Sequence, residues 1–241
     1  MKTTSQSIVP IGKRGRSYQR IVVLTGAGIS ASAGLPTFRG PGGLWTKNPE
    51  LANALVAGAH PDLMWKALGG LRAAIPTTKP TPAHLAIARF SPASAVTVIT
   101  QNVDGLHEKA GSSGVIALHG RLARTRCSSC DAPSFDDEAP HATAPPCPKC
   151  GAPLRPDIVM FEESLGAAEE MGSKRALRDC DLFIAIGTSG TVWPASSFVR
   201  SASFEGAHTI LVNLTATEGD SAFAEVHHGP ADEIVPQLFG G

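Results

Sequence analysis

The sequence has little that would suit a membrane, secreted or nucleic-acid-binding protein. No stretch of its 241 residues approaches the roughly 18 consecutive apolar residues that span a bilayer, and no secretory signal precedes the first apolar run. The 21 acidic residues cancel the 21 basic ones, so no overall electrostatic field favours binding to nucleic acid or to an anionic membrane. The chain also has only one tyrosine. We therefore expect a cytoplasmic monomer with no membrane contact and no specific nucleic acid partner.

Acidic residues are missing from the amino end of the chain. The first side-chain carboxylate is Glu50, and residues 1–49 carry seven Lys or Arg, which leaves the rest of the chain with a net charge of −7. A transit peptide is disfavoured, because an apolar run begins within about 20 residues of the start. We interpret residues 1–19 as a short, solvated basic tail.

Disulfides are not expected without a secretory signal, and five cysteines have to be explained in another way. Four of them follow the spacing C-x2-C-x16-C-x2-C, as Cys127, Cys130, Cys147 and Cys150. Each C-x-x-C pair presents two thiolates on one tight turn, and two pairs complete a closed tetrahedral zinc site. Because no position is left for water, the spacing predicts structural zinc; a redox pair or an iron–sulfur site is the alternative, disfavoured because no further Cys or His lies in register. We interpret Cys180 as a small buried side chain.

Short apolar runs alternate with helical patterns along most of the chain. Runs that are apolar on both faces are typical of strands in a parallel sheet covered on both sides. These runs are Ile21–Thr25, Ala95–Thr100, Val115–Leu118, Ile158–Phe161, Leu182–Ile186 and Thr209–Val212. Helices are predicted at Pro61–Ala74, from Thr81 and Pro82 onward, and at Ala167–Cys180. The alternation predicts an α/β fold with a doubly wound parallel sheet.

One segment breaks this alternation. Residues 121–155 have almost no apolar periodicity and bury too little to order themselves, so we expect zinc to hold them. We predict a large domain formed by residues 20–40, 81–120 and 156–241. Two insertions form a smaller domain: a helical part at residues 41–80 and the zinc-binding module at residues 121–155.

Two glycine-rich turns follow predicted strands. The first extends from Gly26 to Gly34, and the second extends from Gly187 to Gly190. Such turns allow backbone N–H groups to approach a pyrophosphate. The first has the spacing G-x-G-x5-G rather than the G-x-G-x-x-G of dehydrogenases, so on its own it fits an ordinary turn equally well. Two such turns at strand ends favour a dinucleotide site.

Polar side chains follow the run Ala95–Thr100, at the edge where open α/β sheets bind ligands. Asn102 and Asp104 are able to bind a carboxamide and ribose hydroxyls; the alternative is that each caps a helix. His119 ends the next run and is a candidate general base, because the pKa of histidine normally lies near neutrality. A purely structural histidine is the competing interpretation.

These motifs, taken in order, resemble the sirtuins, which are NAD-dependent protein lysine deacylases. The resemblance covers residues 20–240. Its motifs are Gly-Ala-Gly-Ile-Ser and Gly-Leu-Pro-Thr-Phe-Arg-Gly within 26–40, Thr-Gln-Asn-Val-Asp-Gly-Leu-His at 100–107, Leu-His-Gly at 118–120, the paired C-x-x-C, Arg-Pro-Asp-Ile-Val-Met-Phe at 155–161, Gly-Thr-Ser at 187–189 and Val-Asn at 212–213.

The resemblance implies an architecture and a reaction. It implies a Rossmann-like NAD-binding domain, an inserted small domain made of a zinc ribbon and helices, and a cleft between them. In that cleft NAD would meet the acyl-lysine of a protein or peptide substrate. The implied products are the free lysine, nicotinamide and O-acyl-ADP-ribose, and the implied cofactors are NAD and zinc.

The resemblance also implies residue roles. Asn102 and Asp104 match residues that orient the nicotinamide ribose and carboxamide, and His119 matches the catalytic base. The segment Val159, Met160 and Phe161, together with Val192, would flank a substrate peptide that lies between them as an added strand. The positions that match NAD contacts are Gly26, Ala27, Gly28, Ser30, Phe38, Arg39, Gln101, Gly187, Thr188, Ser189 and Asn213.

Two departures from the family pattern bear on the substrate. Glu162 stands where the family usually has Gly, which restricts the substrate-flanking loop and adds a charge. The run Pro-Thr-Phe-Arg-Gly-Pro-Gly-Gly-Leu-Trp at 36–45 resembles the subgroup that removes acidic acyl groups. That subgroup also carries a Tyr-x-x-Arg pair, and an ungapped placement puts Leu68 and Leu71 at those two positions. We therefore expect an apolar pocket that prefers acetyl or longer neutral acyl groups, unless a shifted register recruits the adjacent Arg72.

Other functions remain as alternatives. An NAD glycohydrolase or ADP-ribosyltransferase shares the first bond cleavage, and replacement of His119 would have favoured it. A dehydrogenase is disfavoured by the glycine spacing and by the lack of an acidic residue between Gly28 and Glu50. A zinc-ribbon nucleic-acid-binding protein would use the basic tail, against the net charge of −7 on the remaining residues.

Overall fold

A six-stranded parallel sheet forms the centre of the large domain. The computed structural model describes residues 8–15, 17–38, 42–55, 60–90 and 95–240. The strands of the sheet are β1 (Arg20–Thr25), β2 (Ala95–Thr100), β3 (Val115–Ala117), β7 (Leu182–Ile186), β8 (His208–Asn213) and β9 (Glu225–His228). Their order is β3-β2-β1-β7-β8-β9, and every neighbouring pair is parallel.

Helices cover both faces of this sheet, which confirms the predicted doubly wound fold. The helices are α1 (Leu44–Lys47), α2 (Pro49–Ala54), α3 (Pro61–Ala74), α4 (Pro82–Arg89), α5 (Leu106–Ala110), α6 (Ala167–Arg178), α7 (Phe198–Phe204) and α8 (Ala231–Phe239). Alternate side chains of β1 face opposite layers: Val23 packs in one cluster with residues of α4 and α8, and Val22 in another with residues of α6 and α7. A strand buried on both faces has no polar side to expose, which explains its unbroken apolar run.

Local sequence signals fix two of the helix starts. The predicted helix at Pro61–Ala74 is α3, with Pro61 in its first turn. Thr81 caps α4 through a hydrogen bond from the backbone N–H of His84 to its side chain, as the Thr-Pro sequence predicts. Cys180, just beyond α6, is buried, which confirms its interpretation as a small core side chain.

A second sheet of three antiparallel strands lies apart from the six-stranded one in the strand pairing. It consists of β4 (Gly120–Cys127), β5 (Phe135–Asp136) and β6 (Leu154–Ile158), in the order β5-β4-β6. The prediction of Ile158–Phe161 as a strand of the large sheet was wrong. Its apolar side chains, Ile158 and Met160, are buried in a third apolar cluster instead, so they reflect burial by α3 and not membership of the parallel sheet.

The amino-terminal segment differs from the solvated tail that the sequence predicted, at least over its described part. Ile11 and Tyr18 are buried in the cluster that contains α8, and Arg14 forms an ion pair with Glu225 of β9. The apolar residues interspersed among the bases anchor the segment to the sheet. No described helix is long and apolar enough to cross a membrane.

Candidate active site and metal centre

The two glycine turns meet at the carboxyl ends of β1 and β7. Because the chain proceeds from β1 toward β2 and β3 on one side and from β7 toward β8 and β9 on the other, this is the switch point where open sheets bind ligands. The N–H of Gly28 donates to the carbonyl oxygen of Gly187 at 2.9 Å. A Cβ on Gly28 would lie 2.6 Å from the Gly187 Cα atom, so the contact requires glycine.

The unusual glycine spacing has a structural reason. The residues after Gly26 form a 3₁₀ helix, Ala27–Ala33, rather than the α-helix that follows the dehydrogenase fingerprint. Gly34 ends this helix in the left-handed conformation, with φ of 83°. The third glycine of G-x-G-x5-G therefore serves as a helix stop and not as a contact of the turn.

A cleft of about 1070 Å³ lies above the switch point, and most of the predicted site residues line it. The predicted residues that line it are Gly26, Ala27, Gly28, Phe38, Gln101, Asn102, His119, Val159, Met160, Phe161, Gly187, Thr188, Ser189, Val192 and Asn213. Ser30, Leu71 and Asp104 line a small adjoining recess that shares Ala27, Phe38 and Asn102 with the cleft.

One predicted substrate-binding residue does not line the cleft, and one predicted NAD contact is not described. Leu68 is only 1% exposed and packs in the apolar cluster with Met64 and Met160, behind the residues that line the cleft. Arg39 lies outside the described residues.

His119 is held as a neutral base at the cleft. Its Nδ1–H donates to the carbonyl oxygen of Gln101 at 2.9 Å, since a carbonyl can only accept. This leaves Nε2 as the nitrogen that can take a proton. Burial lowers the pKa of His119, against the opposing effect of the Gln101 hydrogen bond. The ring is therefore unprotonated near neutral pH, which is the form that a general base requires.

Asn102, Ser30 and Asp104 form a buried hydrogen-bonded network that borders the cleft and the recess. Asn102 Nδ2 donates to Ser30 Oγ at 3.2 Å, and Ser30 Oγ donates to Asp104 Oδ2 at 2.7 Å. Asp104 Oδ1 also accepts the N–H of Leu106, the first residue of α5, so Asp104 contacts the start of that helix as well as lining the recess. Burial raises the pKa of Asp104.

Thr188, on the far side of the cleft, connects to the loop that carries Gln101 and Asn102. Gln101 Nε2 donates to Thr188 Oγ1 at 3.0 Å, and Asn213 Nδ2 donates to the Thr188 carbonyl oxygen at 2.9 Å. These bonds connect the ends of β2, β7 and β8. The side chains of Gln101 and Asn213 and the backbone of Thr188 are therefore fixed relative to each other around the cleft.

A second polar network lies behind the cleft. Thr25 Oγ1, at the end of β1, is 2.9 Å from both Thr100 Oγ1 and His107 Nε2, and the N–H of Asn102 donates to Thr100 Oγ1. Burial lowers the pKa of His107 to about 4, so the ring is neutral. Sequence reasoning assigned His107 to no site, because nothing in its local sequence reveals that it reaches the end of β1.

Aromatic side chains that the sequence did not single out complete the cleft. Trp45 stacks on Phe38 with ring centroids 5.6 Å apart and meets Phe161 edge-on at 5.9 Å. Trp193 also lines the cleft and is 79% exposed. The sequence analysis gave neither Trp45 nor Trp193 a role in the site, and the structure places both side chains along the cleft.

The four predicted metal ligands come together. The ligand atoms of Cys127, Cys130, Cys147 and Cys150 all lie within 4.8 Å of one another. The Sγ atoms are 3.6 Å apart for Cys127 and Cys150 and 3.8 Å apart for Cys130 and Cys147. Tetrahedral Zn–S bonds of about 2.3 Å require sulfur atoms about 3.8 Å apart, so the cluster fits zinc.

Arg72 joins helix α3 to the zinc-binding module. The guanidinium donates to the backbone carbonyl oxygens of Leu122, Asp137 and Ala139, and it lies over the Trp65 ring at 4.9 Å from the centroid. Its side chain is almost completely buried by these partners. Arg72 therefore faces the module and not the cleft.

Comparisons with known proteins agree with this geometry. A model of the Sir2 family matches residues 26–194. The NAD-dependent protein deacylase of Ralstonia nicotianae is 40% identical over 227 residues, which are 91% of this chain and 91% of that protein. A solved Sir2 homologue–NAD complex has a TM-score of 0.84 and 37% identity, covering 92% of this chain and 89% of that one. A Sir2–p53 peptide–NAD⁺ structure has a TM-score of 0.77 and 26% identity, covering 92% and 93%.

Proposed function

The chain belongs to the Sir2 family, and on that premise we propose which of its residues carry out NAD-dependent protein deacylation. The protein is an NAD-dependent protein deacylase that uses NAD, with zinc in a four-cysteine site. The observation that carries the residue assignment is the position of His119. A neutral histidine whose Nε2 can accept a proton lines the same cleft as both glycine turns.

His119 is the general base of the reaction. Bound NAD would supply an electrophilic ribose carbon, to which the acyl oxygen of the substrate would add as nicotinamide leaves. His119 Nε2 then accepts a proton from a hydroxyl of that ribose. The Gln101 carbonyl holds the ring in place and keeps the other nitrogen protonated, so that only Nε2 can act.

Asn102, Ser30 and Asp104 hold the nicotinamide end of NAD. Their network borders both the cleft and the small recess, so its polar atoms are presented to a ligand whose ribose and carboxamide need hydrogen-bond partners. Gly26 and Gly28 allow the backbone of the two turns to pack closely enough to form the floor beneath the pyrophosphate. The residues proposed to contact NAD are Gly26, Ala27, Gly28, Ser30, Phe38, Arg39, Gln101, Gly187, Thr188, Ser189 and Asn213.

The substrate is the acyl-lysine of a protein or peptide, held as an extended strand. Val159, Met160 and Phe161 line one part of the cleft, and Val192 lines another. An extended peptide between two such segments gains main-chain hydrogen bonds whatever its sequence. Its acyl-lysine then reaches inward toward His119, while the neighbouring side chains point to the rim.

The acyl pocket prefers neutral groups. No Lys or Arg among the described residues lines the cleft. Leu71 borders the recess, and Leu68 lies in the apolar layer behind it. A succinyl carboxylate in such a pocket would lack a cationic partner, and an unpaired buried charge is costly. Acetyl and longer neutral acyl groups only need apolar surface.

Several further features are part of the proposal. We propose the domain division predicted from the sequence, with the parallel sheet in one domain and the antiparallel sheet in the other; β4 and β6 extend across its junctions near residues 120 and 156. We also propose that the protein acts as a monomer in the cytoplasm and binds no nucleic acid specifically.

One incubation tests the function. The protein is mixed with NAD and peptides that bear acetyl-, butyryl-, myristoyl- or succinyl-lysine, and peptide mass and free nicotinamide are followed together. We expect one nicotinamide for each neutral acyl group removed. Nicotinamide release without any change in peptide mass would indicate a glycohydrolase, and no release at all would contradict NAD cleavage.

A further inference from the structure

Glu162 occupies a backbone position that favours glycine. It is the one non-glycine residue with positive φ in the described part of the chain, at 65°. The N–H of Glu163 donates to the Met160 carbonyl oxygen at 3.1 Å, so Glu162 is the third residue of a β-turn. A positive φ at that position is typical of type II turns, where Gly or Asn is preferred. A strained residue at a binding cleft suggests a role for its side chain.

The carboxylate of Glu162 differs from those of its neighbours. Glu163 pairs with Arg155 at 2.6 Å and with Arg126 at 3.2 Å, and Glu170 pairs with Lys174 at 2.6 Å. Within the described residues, no hydrogen bond or ion pair engages the exposed side chain of Glu162. The turn therefore presents one uncompensated negative charge.

This charge stands at the rim of the substrate cleft. Glu162 lines the cleft directly after Phe161, and no described Lys or Arg lines the cleft to neutralise it. When the acyl-lysine of an extended peptide points inward, the side chains on either side of it point outward to the rim. A long cationic side chain next to the acyl-lysine can reach a carboxylate there.

We propose that Glu162 is a specificity-determining residue that selects substrates with Lys or Arg beside the acyl-lysine. The inference rests on the proposed peptide position, and it names the substrate class of that same site. An exposed ion pair has a modest effect, so the expected preference for a basic over a neutral neighbour is about two- to fivefold in kcat/KM. Salt screens such a pair, and the preference falls as ionic strength rises.

The test uses three acetyl-lysine peptides that differ only in the residues flanking the acetyl-lysine, which are Arg, Ala or Glu. The wild-type protein is compared with Glu162→Gln, Glu162→Lys and Glu162→Gly. We expect the preference for Arg to vanish in Glu162→Gln and to invert in Glu162→Lys. These changes in kcat/KM should arise from KM and not from kcat. Glu162→Gly removes the charge and also relaxes the turn, so any difference between Glu162→Gly and Glu162→Gln reports the effect of backbone strain alone. Glu205→Gln, an exposed acid that does not line the cleft, is the matched control.

The outcomes separate this inference from the function itself. If the wild-type protein deacylates all three peptides equally, or if Glu162→Gln keeps the preference for Arg, the role of Glu162 is wrong while deacylation stands. If no peptide is deacylated although NAD is present, the proposed function fails and this inference fails with it.

Discussion

Arg72 of α3 forms a buried ion pair with Asp137 of the zinc-binding module, with 3.2 Å between Nη2 and Oδ2. The same helix carries Leu71 to the recess beside Asn102. Helix α3 therefore contacts the zinc-binding module through Arg72 and the recess through Leu71, the preceding residue. The pair also answers a question that the sequence left open, because an Arg72 engaged in this way is not the cation of an acidic-acyl pocket.

The first prediction concerns acyl preference. The kcat/KM for acetyl- or butyryl-lysine should exceed that for succinyl-lysine by at least about tenfold, because the described cleft lining offers a carboxylate no cation. In Arg72→Met this ratio should not change, although removal of one buried partner should lower the free energy of unfolding by about 3 kcal/mol. A succinyl preference that disappears in Arg72→Met would contradict the assignment.

The second prediction concerns zinc. Cys147→Ala should lose the metal and much stability, because the module buries little apolar surface and zinc binding supplies on the order of 10 kcal/mol in peptide systems. Cys180→Ala is the matched control, since Cys180 is a buried cysteine outside the cluster. Metal analysis should find one equivalent of zinc in the control. Full stability of Cys147→Ala, or well under one equivalent in the wild-type protein, would refute a structural zinc.

The third prediction concerns the contact between the glycine turns. Gly28→Ala places a Cβ 2.6 Å from Gly187 Cα, so the backbone must move; we expect a loss of about 1–3 kcal/mol in stability and a clear loss of NAD affinity. Gly12→Ala is the control, because a Cβ added to Gly12 would meet no described atom within 4 Å. Chemical denaturation and NAD titration measure the two effects. Unchanged NAD affinity in Gly28→Ala would show that the turn does not shape the site.

The fourth prediction concerns pH. Burial lowers the pKa of His84 to about 3 and that of His107 to about 4, whereas an unfolded histidine titrates near 6.5. Between these values the unfolded chain binds more protons, so stability should fall as pH drops from about 6.5 toward 4, by up to about 1.4 kcal/mol per pH unit for each histidine. Urea unfolding at several pH values measures this slope.

Two variants identify the source of that slope. His107→Asn should reduce the slope, whereas Gly12→Ala, which leaves every histidine in place, should not. An unchanged slope in His107→Asn would show that other groups cause the acid sensitivity.

Much of the fold and the site could be predicted from local sequence. The strand Ala95–Thr100 and the helix Pro61–Ala74 match the structure because burial on both sides and an early proline leave clear local signals. The zinc ligands were equally clear, since four thiolates at this spacing have few other uses. The cofactor positions came from the resemblance to sirtuins, and most of them line one cleft.

The sequence-based predictions that the structure contradicts concern residues whose positions depend on contacts with distant parts of the chain. Ile158–Phe161 has the apolar character of a core strand, yet Ile158 and Met160 pack in the apolar cluster that contains residues of α3. The segment around Arg14 has the composition of a solvated tail, but Arg14 pairs with Glu225, 211 residues away. Trp45 lines the cleft, where its ring meets that of Phe161, 116 residues further along the chain. Composition and periodicity carry no information about such pairings.

The most direct test of the central claim is deacylation by His119→Ala, with nicotinamide release and peptide mass followed in one reaction. The account predicts that the variant still binds NAD but loses deacylation by about 10²–10⁴-fold, the usual effect of removing a positioned general base. His60→Ala, a histidine outside the cleft, should deacylate like the wild-type protein. Deacylation by His119→Ala within a few-fold of the wild-type rate would contradict the account.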